Sequence, residues 1–283
     1  MSDHLDVRKT YKLLIGGAFP RSESGRSYEV TSADGAFLAN AAQGSRKDVR
    51  DAVVAARAAQ SKWWAQSAYN RGQVIYRLAE MAESRRDELS ENVSLAEALK
   101  TKEAKATVAR SIDRIVWYAG WTDKIAQILG SSNPVAGPYF NFSVPVPSGV
   151  VGVIADQDSS LEAFLDAVLA PIAVGNSVVV IASERRPTPS ILVSEMTATA
   201  DFPGGVLNVL TGFTGELAPT LAGHEDVDGL DLAGVDEAFG DDLAQLAADS
   251  IKRVLRPSYA KETSLRRLRA FVETSTVWHT IGQ

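Results

Sequence analysis

The residues able to do chemistry fall into a few groups. Asp156, Asp158 and Glu162 follow an apolar run closely, a grouping that could transfer protons as a carboxylate pair or hold a hard cation. Thr211-Gly212-Phe213-Thr214-Gly215 opens a helical pattern, and such a turn can bring backbone N–H groups to a phosphate. Each group also has a plain structural reading. Asp158 or Ser159 can N-cap the next helix, with Glu162 completing a capping box, which accounts for the acidic cluster without a ligand. G-x-x-G recurs in ordinary turns. The histidines, His4, His224 and His279, are too scattered for metal or triad spacing, so they read as surface or packing residues and no metal site is expected. The tryptophans, including Trp63-Trp64 and the i,i+4 pair Trp117 and Trp121, read as helix packing. The basic runs SERRP and KETSLRRLR read as solvated faces.

The absences are as informative. The chain has no cysteine, which removes disulfides, thiolate metal ligands and any mechanism with a cysteine nucleophile. It has 283 residues, 45% hydrophobic and 23% charged, the composition of a soluble globular protein with one large or two modest domains. A net charge of −6 without a long basic run gives no footprint for nucleic acid. The start MSDHLDVRKTYKLLIGG is too charged for a secretory signal. No apolar stretch approaches the roughly 18 residues of a membrane span, so a cytoplasmic location without membrane contact is expected.

The elements that must position these groups can be read from periodicity. Residues 11–44 give short extended pieces with a hairpin signal at Asp34-Gly35. A helix starts near Ser45, which forms a capping-box pattern with Asp48. Two long helical patterns follow, one from Val74 to Val93 and one from Val108 to Ile128, the second ended by Gly130 and Pro134. From Gly137 the chain is extended, with prolines that favour an edge. Continuous apolar strands then alternate with helices from GVVGVI through NSVVVIA and VLNVLTG to a weak VDGLDLAG. That rhythm predicts an α/β protein with a doubly wound parallel sheet. In such sheets ligands bind beyond the carboxyl ends of the strands, here the turns after Ile154, Ala182, Thr211 and Ala233.

The segments IGGAFPRSESGRSYEV, PVPSGVVGVI, LAPIAVGNSVVVIASERRPTPS and GGVLNVLTG together resemble the aldehyde dehydrogenase superfamily over roughly residues 11–257. The stretch VGNSVVVIASERRPTP is similar to that family's AGNxVVxKPSExTP. The resemblance implies a Rossmann-like nicotinamide-binding domain, N-terminal helices, and a small oligomerisation sheet made of a hairpin and a C-terminal strand. It divides the chain into a strand and helical part at 1–136, a hairpin segment at 137–148, a Rossmann-like domain at 149–258, and a linker with the oligomerisation strand at 259–283.

The departures from the family concentrate at function. Asp158 stands where the family's oxyanion-binding asparagine is implied, and a carboxylate cannot donate there unless protonated. The implied cofactor set is Ser183, Glu184, Gly212, Gly215 and Gly234, with Ile181 in place of the family's lysine. The Phe-Thr-Gly-Ser turn becomes Leu232-Ala233-Gly234-Val235, losing both hydroxyls. The family's Leu-Glu-Leu-Gly-Gly-Lys, with its general-base glutamate, becomes Leu255-Arg256-Pro257-Ser258, so Pro257 marks a lost base. A short connection then leads to AFVETSTVWHTIG, similar to the family's terminal strand, where a catalytic domain of well over a hundred residues is implied.

The expected protein is a truncated family member without catalytic residues, with no or weakly bound NAD(P), assembling with itself or with a full-length aldehyde dehydrogenase through Tyr139–Pro147 and Ser275–Thr280. The alternatives are a nicotinamide-nucleotide sensor, a residual NAD-dependent oxidoreductase activity, and an enzyme with a new chemistry at Asp156 and Asp158.

Overall fold

The computed structural model describes residues 8–256 and 265–282, so His4 and Pro257 lie outside the described residues. Strands β1 (Thr10–Tyr11), β2 (Ser27–Thr31) and β3 (Phe37–Ala42) form a sheet in the order β1-β3-β2. Asp34-Gly35 turns the β2–β3 hairpin, and Gly35 takes φ +88°, a conformation that glycine adopts without a Cβ penalty. Helix α1 (Arg46–Ala65) opens on the expected capping box: Ser45 Oγ accepts from Asp48 N at 3.3 Å, and Asp48 Oδ2 accepts from Ser45 N at 2.8 Å.

Each of the two long helical patterns is divided. The first becomes α2 (Ala68–Ser84) and α3 (Arg86–Glu97), broken at Arg85 with φ −111°. The second becomes α4 (Thr101–Trp121) and α5 (Ile125–Leu129). At the first break the apolar period runs through a single non-helical residue, because α2 and α3 both bury their apolar faces in the same core.

Next come β4 (Ser131–Asn133), β5 (Tyr139–Pro147), β6 (Val150–Ile154), α6 (Glu162–Ala173), β7 (Ser177–Ile181), α7 (Thr188–Thr197), β8 (Leu207–Leu210), α8 (Thr214–Ala222), β9 (Gly229–Asp231), α9 (Glu237–Ala248) and β10 (Arg253–Leu255). The five-stranded sheet runs β10-β9-β6-β7-β8, and every pairing in it is parallel. Side chains alternate across it, as a strand's period of two requires. Val151, Val153, Val178 and Val180 pack with α2, α4 and α6. Val150, Ile154, Val179 and Ile181 pack with α1, α8 and α9. This is the expected Rossmann-like, doubly covered sheet.

Helix α10 (Leu265–Ala270) and strand β11 (Val272–Thr280) complete the described chain. Strand β11 runs antiparallel to β5 from Val272 opposite Pro147 to Thr280 opposite Tyr139, giving a small sheet in the order β11-β5-β4. The hairpin segment is therefore longer than 137–148, because its first arm is β4. Ser131-Ser132-Asn133 is too short and polar to show strand alternation in the sequence.

The KETSLRRLR run is not a solvated face throughout. Arg267, 5% exposed, pairs with Asp231, 1% exposed, at 2.6 Å, and Leu268 is buried. Phe271 is buried as well. Its ring occupies the notch over Gly229, where a Cβ would stand 2.5 Å from Phe271 Cδ1. The Phe271 carbonyl accepts from Asn176 Nδ2 at 3.0 Å and from Ser148 N at 3.2 Å. Arg267 and Leu268 of α10, and Phe271 after it, are thus built into the core of the parallel sheet.

Candidate functional site

The turns beyond the carboxyl ends of β6, β7, β8 and β9 enclose a crevice of about 690 Å³. Asp156, Gln157 and Asp158 line it from the β6 turn, Glu184 and Arg185 from the β7 turn, and Thr214 and Gly215 from the start of α8. Gly234, Asp236 and Phe239 close it from the β9 turn and α9. The crevice stands where an open parallel sheet places a ligand.

The acidic cluster is not a capping box. Helix α6 is preceded by Leu161, which makes no side-chain cap bond. Asp156 Oδ1 instead accepts from Asp158 N at 2.7 Å and Ser159 N at 2.8 Å, shaping the turn, and Ala163 N donates to Ser159 Oγ at 3.2 Å. Glu162 points away to Arg110 and Arg114, at 3.2 and 3.3 Å. Ser159 thus serves the start of α6 as the capping reading expected, but the Glu162 half of the box fails, because the two arginines on α4 lie beside α6, a proximity that spacing along the chain does not show. Glu162 is thereby separated from Asp156 and Asp158.

Asp158 is exposed and pairs with Arg185 at 3.2 Å, while Arg186 Nη1 donates to its backbone carbonyl. Among the described residues no group of histidine, aspartate and glutamate is arranged to hold a metal ion.

The implied cofactor residues are only partly brought together. Glu184, Gly215 and Gly234 line the crevice. Ser183 is buried, with its Oγ 3.3 Å from both the Gln157 carbonyl and Gln157 Oε1. Gly212, at φ +141°, faces the backbone of Gly44, which a Cβ there would approach to 3.0 Å. Gly234 presses on the β6 turn, since its Cβ would lie 2.2 Å from the Ile154 carbonyl oxygen. Both glycines therefore have packing reasons to be glycine. Ile181 is fully buried among the α1 and α8 residues.

Gln157, which the sequence did not single out, ties the β6 and β7 turns together by accepting from Glu184 N at 2.9 Å. Its position just after a core strand was the available signal. Tyr28 was also missed. Its hydroxyl is buried, and burial, with the charge of Glu184 nearby, pushes it well above its ordinary pKa.

Helix N-termini at such a crevice ordinarily attract phosphate. Here both are already served by the chain's own carboxylates. Glu184 Oε2 accepts from Thr214 N at 2.9 Å at the start of α8, and Asp236 caps α9 by accepting from Phe239 N at 2.9 Å. Asp156, Asp158, Glu184 and Asp236 line the crevice against a single lining cation, Arg185. The pyrophosphate of a dinucleotide would meet like charge and an occupied helix terminus. The residues present do not fit that group.

A sequence model of the aldehyde dehydrogenase family matches residues 19–257. DhaS of Bacillus subtilis (strain 168), which carries an aldehyde dehydrogenase name, is 33% identical over 252 residues, covering 88% of this chain and 50% of that protein. The mitochondrial benzaldehyde dehydrogenase of Antirrhinum majus is 32% identical over 243 residues, covering 84% of this chain and 45% of that protein. Among solved structures, the NAD+ complex of an aldehyde dehydrogenase from Bacillus cereus superposes with a TM-score of 0.81 at 26% identity, covering 87% of this chain and 50% of that one. The chain thus spans half or less of the length of these relatives.

Proposed function

Because the chain belongs to the aldehyde dehydrogenase family, we propose that it serves as a catalytically silent subunit, assembling through its small sheet with itself or, as preferred, with a full-length member of the family. The observation that carries the reading is the surface of that sheet. Trp278 is 62% exposed, with Tyr139 edge-on to it at 5.8 Å between ring centroids, and Phe140, Val277 and Ile281 are exposed alongside. Among the described residues no strand pairs with the outer edge of β11. An exposed apolar strand at an open edge is an association site or an aggregation hazard.

Catalytic silence rests on the chain's own residues. It contains no cysteine to attack an aldehyde. Asp158 offers a carboxylate, paired with Arg185 at 3.2 Å, where a hydrogen-bond donor would be needed. A nucleotide-sensing role loses support because the α8 and α9 termini are taken by Glu184 and Asp236.

The test is light scattering of the full chain beside a truncation after Phe271, which keeps the core residues Leu268 and Phe271 but removes β11. The full chain should run as an assembly, and the truncated chain should keep its helical circular dichroism and run at a smaller mass. A full chain that is monomeric at high concentration would remove the self-assembly arm.

A further inference from the structure

We propose that a second pocket, at the junction of the helical layer and the small sheet, binds a small apolar monocarboxylate through Arg71. This site is apart from the crevice and does not depend on the subunit reading. The pocket holds about 270 Å³ and is walled by Trp64, Ile125, Pro145, Val174 and Val272, with Arg71 as its buried cation. Arg71 is 5% exposed. One of its nitrogens, Nη1, donates to the carbonyls of Trp64 at 3.3 Å and Gln66 at 2.7 Å, closing the carboxyl end of α1. Its Nε is buried and has no acceptor. Among the described residues no carboxylate forms a salt bridge with Arg71.

The other charged residue on the wall, Asp123, pairs with Lys124 at 3.1 Å. A buried cation without a counter-charge is costly, and an anion that reaches it is held by a charge-assisted bond. Burial accordingly lowers the Arg71 pKa, and a bound carboxylate would oppose that.

The remaining wall selects the ligand class. The Trp64 ring lies 4.9 Å from the guanidinium and is seated over Gly175, whose Cβ would stand 2.5 Å from the indole. With aliphatic groups opposite, the pocket suits an apolar tail behind the carboxylate, and Gln66 and Thr122 add polar groups at its wall. At a liquid-water share of about 30 Å³ per molecule, the volume holds roughly nine water-sized groups, the size of benzoate or hexanoate. Pro145 and Val272 belong to β5 and β11, so a bound acid also touches the docking of the small sheet.

Titration calorimetry of the full chain with benzoate and with neutral benzamide tests the proposal. Benzoate should bind saturably, and at least about tenfold more tightly than benzamide, which forfeits the charge-assisted bond. Ala126→Phe, at an exposed position on the pocket wall, should abolish benzoate binding while leaving the circular dichroism unchanged. Equal affinities for the two probes would overturn the proposal. So would unchanged benzoate affinity in a folded Ala126→Phe protein, or no saturable benzoate binding by the wild-type chain up to about 10 mM.

Discussion

At single residues, the chemistry is decided by what Asp158, Glu184 and Asp236 are already doing. Glu184 and Asp236 each satisfy a helix N-terminus, and Asp158 is paired with Arg185. Asp158→Asn restores the amide that the family resemblance implies, but it supplies no cysteine nucleophile, so neither wild type nor variant should oxidise aldehydes. Following absorbance at the NADH wavelength with aliphatic and aromatic aldehydes checks this, and turnover above a heat-killed control would contradict it. Nicotinamide cofactor should bind weakly or not at all, since losing one charge-assisted bond costs about 1.5–3 kcal/mol, or roughly ten- to a hundredfold in affinity. Calorimetry giving a micromolar constant for NAD would sink that expectation. The missing cysteine was legible from the sequence alone, while the replacement at Asp158 is what the family resemblance implies. The capture of the α8 terminus by Glu184 was not, because it joins residues 184 and 214, which only the fold brings together.

At the level of elements, β6 to β9 and the helices between them were legible because buried parallel strands are continuous apolar runs. The break at Arg85 and the strand β4 were hidden, the first by an apolar period that continues through it and the second by its polar, short sequence. Helix α10 was misread for a different reason. Arg267 sits in a basic run, and only the buried Asp231 on β9 makes it a core residue. Breaking a buried ion pair leaves an uncompensated charge, so Arg267→Met should destabilise the protein by about 3–5 kcal/mol in urea unfolding. The double variant Asp231→Leu with Arg267→Met should recover much of that loss. A single variant as stable as wild type would show that α10 does not hold β9 in solution.

For the whole molecule, the parallel sheet is complete without a catalytic domain between β10 and α10, and β11 returns to β5 along nine paired positions. The same docking exposes Trp278 and leaves the outer edge of β11 open among the described residues. That surface, in a chain without cysteine, is what the proposed assembly role rests on. Native mass spectrometry of the chain co-expressed with a full-length aldehyde dehydrogenase from the same genome tests this most directly. The expected spectrum contains mixed assemblies that are lost when β11 is removed. A monodisperse monomer that never co-purifies with the full-length protein would contradict the account.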